Sequence, residues 1–128
     1  MPINVSEILK AINERIEYIY DREHTIGHSY FMPLIKTPTK DKLDEIFRVN
    51  IIPLLAEYFY GDWGDIVEIL NDDKGYFIEE KKLTYKTKTD RQNKVYIIKD
   101  EFLDDGYINI YDGLNQNTNT NTATDNDQ

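Results

Sequence analysis

The chain has 128 residues and a mass of 15.2 kDa, which is room for one domain. Its 24 acidic and 15 basic side chains give a formal net charge of -9. It contains no cysteine, which excludes a disulfide framework, a thiolate zinc site and a cysteine nucleophile, and fits a reducing compartment. The sequence shows neither a signal-peptide pattern nor an apolar run long enough to cross a membrane. It therefore predicts a soluble, cytoplasmic protein.

The charge is unevenly distributed. Residues 1–72 hold 7 basic and 13 acidic side chains, a net charge of -6, and residues 73–128 hold 8 and 11, a net charge of -3. Within the second part, Lys81–Lys99 has seven basic residues against one acidic residue, a local charge of +6. The acidic surface is thus interrupted by one basic segment.

The first predicted element is a helix over Asn4–Tyr20, where apolar residues recur at helical spacing. Asn4 and Glu7 have the spacing of a capping box at its start. Asp21–Pro38 then loses this period and contains Gly27 and two prolines. We expect an ordered connection there instead of a helix.

A second helix is predicted to begin near Thr37 or Thr39 and to run to Gly61. Pro53 lies inside it, so we expect a kink or two abutting helices. A third, shorter helix is predicted over Asp62–Leu70. The apolar face assigned to the second helix consists of Leu43, Ile46, Phe47, Asn50, Leu54, Leu55, Tyr58 and Phe59.

Beyond Gly75 the sequence alternates with a period of two, which indicates short strands. A strand around Leu83–Thr87, a turn at Thr89–Asn93 and a strand at Val95–Ile98 predict a hairpin. A last strand is predicted over Tyr107–Tyr111, after Asp105-Gly106. Residues 115–128 are almost entirely polar and predict a disordered tail.

These elements predict an α+β fold, in which a bundle of about three helices is followed by short antiparallel strands and a disordered tail. The corresponding organisation is a helical region over residues 1–72, strands over 73–113 that complete the same domain, and a polar tail over 114–128.

The sequence lacks the common catalytic motifs. None of the six glycines is followed by lysine, so there is no P-loop. Nor does it contain a nucleophile elbow, an H-E-x-x-H helix or a dinucleotide-binding glycine turn.

Both histidines of the chain lie in the segment Asp21–Phe31. With Asp21 or Glu23, the side chains of His24 and His28 could supply nitrogen and oxygen ligands to a metal ion. Gly27 interrupts the segment, so the convergence that a helix would provide cannot be assumed, and we predict no metal site.

The same segment has two further interpretations. Ser29 beside His28 could form a nucleophile pair, although no third group is present to orient the base. Alternatively, Gly27 permits a sharp turn, His28 and Ser29 bond to backbone groups, and the two following aromatic residues, Tyr30 and Phe31, return to the core. We favour the second interpretation, because such polar residues usually bond locally.

The basic segment could bind nucleic acid, with Tyr85 and Tyr96 stacking on bases. The residues that would contact phosphates are Lys82, Lys86, Lys88, Arg91 and Lys94. Alternatively, these lysines protect the edges of a hairpin from pairing with another chain. The acidic residues on either side of the segment would weaken its field, which favours the second interpretation.

Three stretches of the sequence carry a resemblance to a known family. They are Ile8–Tyr18, Asp21–Met32 with the string I-G-H-S-Y-F, and Ile51–Trp63 with the string I-I-P-L-L-A-E-Y-F-Y-G-D-W. Together they resemble the C-terminal lid of McrB-type AAA+ proteins, the NTP-driven motor subunits of modification-dependent restriction systems.

The resemblance implies a part of a motor that is not catalytic alone. GTP or ATP with magnesium would be bound by the complete parent protein and not by this chain. The implied partners are an AAA+ core subdomain or ring subunits, a McrC-like nuclease indirectly, and DNA through the parent system, with no membrane. By analogy with the second sensor of AAA+ proteins, Gly27, His28 and Ser29 would lie near the nucleotide or the adjacent subunit.

Two other functions remain open from the sequence. The chain could be a stand-alone acidic module that docks on an AAA+ ring, or a nucleic-acid-binding module that uses its basic hairpin.

Overall fold

The computed structural model describes residues 2–82 and 94–112. The elements are α1 (Val5–Ile19), α2 (Pro33–Lys36), α3 (Lys40–Ile46), α4 (Ile52–Tyr58), α5 (Trp63–Leu70), β1 (Ile78–Lys82), β2 (Lys94–Ile98) and α6 (residues 104–112). The α+β prediction is confirmed, with a helical part followed by a two-stranded antiparallel sheet. The strand predicted around residues 83–87, the turn at 89–93 and the polar tail lie outside the described residues. No helix in the described part is long and apolar enough to cross a membrane.

Helix α1 begins where the sequence predicts. The Asn4 side chain accepts a hydrogen bond of 3.2 Å from the amide of Glu7, which satisfies one of the free donors at the helix start. Its inner face consists of Ile8, Ala11, Ile12 and Ile16, all buried.

The segment between α1 and α3 is more helical than predicted. It forms two short 3₁₀ turns, Arg22–His24 and His28–Phe31, and then the single turn of α2. Pro33 occupies the first position of α2, where a missing amide hydrogen costs nothing. The prediction of a connection without α-helix is therefore wrong over Pro33–Lys36.

A five-residue π-helical turn, Phe47–Ile51, joins α3 to α4. Thr39 caps the start of α3, because its side chain accepts a hydrogen bond from the amide of Lys42. This confirms one of the two predicted starts. At the other end of the turn, the amide of Ile52 donates to the carbonyl of Phe47, five residues earlier. Pro53 cannot donate a backbone hydrogen bond, and the wider turn places it at the start of α4. The predicted interruption is confirmed, and its form is a π turn.

The π turn also changes which side chains face the core. Its extra residue rotates the following helix, so Ile51, Ile52 and Leu55 are fully buried. Asn50, assigned to the inner face from sequence, is exposed, and that assignment is wrong. Leu54 is only partly buried.

Helix α5 ends at Asn71 in the left-handed conformation, with φ of 50°. The next residue, Asp72, is buried and accepts hydrogen bonds from the amides of Tyr76, Phe77 and Ile78 at 2.5, 3.0 and 2.9 Å. One carboxylate thus fixes the entire turn that leads from α5 into β1. Burial raises the pKa of Asp72, because loss of water outweighs these hydrogen bonds.

Strands β1 and β2 pair antiparallel, with Ile78 opposite Ile98, Glu80 opposite Tyr96 and Lys82 opposite Lys94. The predicted second strand of the hairpin is confirmed at residues 95–98. Strand β1 begins earlier than the predicted alternation, at Ile78.

The last predicted strand is wrong, because residues 104–112 form helix α6. Alternating β-branched and aromatic residues suggested a strand, but Tyr107 and Ile110 are both fully buried and lie three positions apart, which is helical spacing. Gly106 lies inside this helix, where a Cβ would approach Cβ of Tyr76 to 2.7 Å. The glycine permits close helix packing and does not mark a turn.

The core is one continuous cluster at whose centre four aromatic rings meet. Phe47 lies 5.5 Å from Phe77 and 5.0 Å from Tyr107, and Phe77 lies 5.0 Å from Phe102, measured between ring centroids. These rings come from the π turn, the strand entry and the segment that leads into and through α6. Residues well beyond the helical region therefore help to build its core.

Helix α6 is also tied to the first and fifth helices by polar contacts. Arg15 donates to the carbonyls of Ile69 and Ile110 at 2.8 and 2.5 Å. The amide of Asn4 donates to the hydroxyl of Tyr111 at 3.2 Å.

Candidate functional site

The segment Asp21–Phe31 is named here the 21–31 connection, and its middle is fixed to α1 by the side chain of Asn13. Nδ2 of Asn13 donates to the carbonyl of Ile26 at 2.9 Å, and the amide of Ile26 donates to Oδ1 of Asn13 at 2.6 Å. The Ile26 side chain is buried beside this pair. A single asparagine thus replaces both backbone partners of Ile26 and fixes its position.

The start of the connection is organised around His24. Nδ1 of His24 lies 2.7 Å from Oδ1 of Asp21, which also accepts from the His24 amide. This hydrogen bond lowers the pKa of the Asp21 carboxyl. The imidazole packs against the ring of Tyr20 at 4.3 Å and against the ring of Tyr58, edge to face, at 4.9 Å. His24 therefore links the end of α1 to the end of α4.

The end of the connection is anchored by Phe31, which is buried and lies 6.1 Å from Phe47. Between the anchors Ile26 and Phe31, all four residues are exposed. Tyr30 is among them, so the prediction that its ring returns to the core is wrong, whereas the prediction for Phe31 is confirmed. The connection presents a short exposed segment that is fixed at both ends.

Gly27, His28 and Ser29 make up most of this exposed segment. The backbone of Gly27 is extended, with φ of -78°, so no sharp turn requires a glycine there, contrary to the expectation from sequence. A Cβ at Gly27 would have only Oγ of Ser29 within 4 Å, at 3.8 Å. In the described part of the chain neither His28 nor Ser29 forms a side-chain hydrogen bond. The expected bonds to backbone groups are made instead by Asn13, Asp21 and Thr25.

The two chemical interpretations of the segment find no support. Over residues 2–82 and 94–112, no three His, Asp or Glu side chains are arranged to hold a metal ion. His24 is committed to Asp21, and Ser29 has no base bonded to it. What His28 and Ser29 offer is an exposed imidazole and an exposed hydroxyl, both able to donate hydrogen bonds to an anionic group.

The basic patch is only partly described. Lys82 and Lys94 are opposite each other in the hairpin, by backbone register. Lys86, Lys88 and Arg91 lie outside the described residues, as does Tyr85. The prediction of a nucleic-acid patch stays a prediction.

Sequence reasoning missed the residues that position the connection. A polar residue such as Asn13 is expected on the outer face of an amphipathic helix, yet it is half-buried and holds Ile26. An asparagine in a helix interior is unfavourable by propensity, and this was the one available signal for a tertiary role. The ring contacts of His24 with Tyr20 and Tyr58 depend on the meeting of two helices and had no local signal.

The fold and this connection define a small, mainly helical domain that presents one firmly anchored loop at its surface. Residues 4–67 match the family model described as McrB, alpha-helical lid domain, which is 64 of the 128 residues. The chain belongs to this family, and the suspected resemblance is confirmed. It is thereby related to the McrB-type AAA+ proteins. No curated protein matches the chain.

Proposed function

We propose that the chain acts as the lid of a McrB-like AAA+ motor, a GTPase or ATPase that drives a modification-dependent DNA restriction system in the cytoplasm. The observation that carries the proposal is the coincidence of the family match with the structure. The match begins at Asn4, the cap of α1, and runs into α5. It thus spans α1 to α4, the first half of α5 and the whole 21–31 connection.

In this proposal the lid moves as a rigid body. The connection is held by Asn13, His24 and Phe31, so a displacement of its exposed segment would be passed on to α1 and α4. A lid of this kind would convert the nucleotide state of a motor into rotation between neighbouring subunits.

Gly27, His28 and Ser29 are the residues we assign to contact with the nucleotide or an adjacent subunit. They are exposed and consecutive, and two of them carry hydrogen-bond donors suited to a phosphate or a carboxylate. There is no arginine between His24 and Phe31, so the contact would rely on the hydroxyl and imidazole donors and not on a guanidinium.

We further propose that the chain does not hydrolyse nucleotide alone. Its sequence contains no P-loop, the feature that cradles the phosphates and positions magnesium. GTP or ATP with magnesium would be held by an AAA+ core subdomain. A McrC-like nuclease and DNA would be reached through that motor.

The test is to titrate the purified chain into a McrB-type AAA+ core protein that lacks its own lid. Association is measured by sedimentation, and GTP and ATP turnover are measured in parallel. We expect one-to-one association and increased turnover, and no turnover by the chain alone. His28→Ala with Ser29→Ala should weaken the effect, whereas the exposed Glu14→Gln on α1 should not.

Adding the chain to a complete motor that retains its lids separates the alternative function. A stand-alone docking module would inhibit turnover well below a stoichiometric excess of chain, whereas a lid would have little effect. Absence of both association and any change in turnover would rule out the lid proposal.

A further inference from the structure

A second concave site lies away from the 21–31 connection. An open cavity of about 480 Å³ is lined by α5, the turn that follows it and the hairpin. This volume is in the range of pockets that bind small molecules or single side chains. None of the residues of the 21–31 connection lines it.

Two aromatic rings line this cavity. Trp63, at the start of α5, and Tyr96, on β2, lie 5.8 Å apart between centroids with an interplanar angle of 19°. Both are only half-buried. Gly64 also lines the cavity, and a Cβ there would closely approach only Oδ1 of Asp62, at 3.2 Å. The absence of a side chain at Gly64 leaves this part of the lining open.

The lining of the cavity has a net negative charge. It includes four carboxylates, those of Asp72, Asp73, Glu79 and Glu80, and two lysines, Lys74 and Lys99, a net charge of -2. The carboxylate of Asp72 already accepts hydrogen bonds from three backbone amides, and the positive charge of Lys99 favours its ionised form. Asp73 and Glu79 line the cavity, are exposed, and form no ion pair within the described residues. Two carboxylates are therefore available at the rim.

We propose that this cavity binds an arginine side chain presented by a basic segment of another protein. Aromatic faces attract cations, and the planar guanidinium also stacks on such rings. The rim carboxylates of Asp73 and Glu79 can accept hydrogen bonds from its N–H groups. Lysine offers no planar group to stack, so arginine is the better occupant. This proposal does not depend on the function proposed above.

Trp63 is the only tryptophan of the chain, so its fluorescence reports directly on the cavity. The probe is the peptide acetyl-Gly-Arg-Gly-Arg-Gly-amide, which lacks tryptophan and tyrosine. The matched control is the same peptide with citrulline in place of arginine, which keeps the planar shape and removes the charge. We expect a saturable fluorescence change with the arginine peptide, weaker binding of the lysine peptide and none of the citrulline peptide.

Paired variants separate specific binding from general attraction to an acidic protein. Asp73→Asn with Glu79→Gln removes two charges at the rim, and Glu14→Gln with Glu57→Gln removes two exposed charges elsewhere. The rim pair should weaken binding about tenfold, and the remote pair should change it little. Gly64→Gln should also weaken binding by filling the cavity, and it lies at an exposed helix position that leaves the core intact.

Three results would overturn the proposal. The first is no saturable change of Trp63 fluorescence with the arginine peptide. The second is an equal loss of affinity in the rim and remote pairs, which would mean unspecific attraction. The third is unchanged affinity in Gly64→Gln with its thermal unfolding intact.

Discussion

The hydroxyl of Tyr107 donates a hydrogen bond of 2.6 Å to Oδ1 of Asp44, 63 positions earlier in the chain. Oδ2 of the same carboxylate lies 3.0 Å from Nζ of Lys40. Asp44 is buried, and these two contacts give each of its carboxylate oxygens a partner within the protein. This contact joins α3 to α6, which lies outside the stretch that matches the lid family.

Tyr107→Phe should lower the free energy of unfolding by about 1–3 kcal/mol, because it removes the donor to a buried carboxylate. Chemical denaturation at neutral pH measures the change. Tyr111→Phe is the matched control, since its hydroxyl accepts only at the protein surface from Asn4. An equal effect of the two variants would contradict the importance of the buried contact.

The same tyrosine predicts a dependence of stability on alkaline pH. Burial, together with the hydrogen bond to Asp44, raises the pKa of Tyr107 far above its usual value. Above about pH 10 the unfolded chain loses this proton while the folded protein keeps it, so stability falls by about 1.4 kcal/mol per pH unit from this group. Below pH 10 the contribution is fully present.

Denaturation curves at several pH values between 9 and 11 would measure this slope. Other groups can contribute to the same slope, so the quantity to compare is the difference in slope between the parent protein and Tyr107→Phe. The variant should show a shallower decline, and parallel declines would disprove the assignment.

Gly106→Ala should destabilise the fold by about 1–3 kcal/mol, despite the better helix propensity of alanine. Its Cβ would lie 2.7 Å from Cβ of Tyr76, an atom close to the backbone that cannot rotate away. Gly27→Ala in the 21–31 connection is the control, because a Cβ there would have only Oγ of Ser29 within 4 Å, at 3.8 Å, and its φ of -78° suits any residue. In thermal unfolding, the midpoint temperature of Gly106→Ala should be well below those of the control and the parent protein.

Leu55→Ala should cost about 2–5 kcal/mol, the range for a fully buried leucine. Leu54→Ala should cost less, since Leu54 is only partly buried. A larger loss of stability in Leu55→Ala than in Leu54→Ala would confirm the helix rotation that the π turn imposes. Equal losses of stability would mean that the two leucines share one inner face.

Asn13→Ala should release the 21–31 connection from α1. The buried amide of Ile26 would lose its partner, at a cost of about 1–3 kcal/mol. Amide hydrogen exchange should become faster at Ile26, and the exposed Lys10→Ala on the same helix should leave it unchanged. Unchanged exchange in Asn13→Ala would show that the connection is held by its buried side chains alone.

The predictable parts of this fold are those with local signals. Helix α1 follows from its cap and from regular apolar spacing, and α5 follows from its apolar spacing. The start of α3 follows from the Thr39 hydroxyl beside Pro38. Helix α6 had the opposite local signal, since Tyr107–Tyr111 favours a strand by propensity. Packing of Tyr107 among the core rings and the close approach at Gly106 outweigh that preference, and neither can be read from the segment itself.

In the candidate site, too, the features with a local sequence signal were predictable and those that depend on tertiary contacts were not. Its position between the first helices and its aromatic and histidine content were found from the sequence motif. Its anchoring was not, because Asn13 and Ile26 lie 13 positions apart and meet only through the path of the connection. The rim carboxylates and the Trp63–Tyr96 pair likewise come together only when the hairpin folds against α5.

The contact between Asn4 and Tyr111 has a mechanical consequence. Residues 107 positions apart lie within hydrogen-bond distance, so the two ends of the described part of the chain lie side by side. A force that pulls Asn4 and Tyr111 apart would therefore act on this contact first, before it reaches the helices.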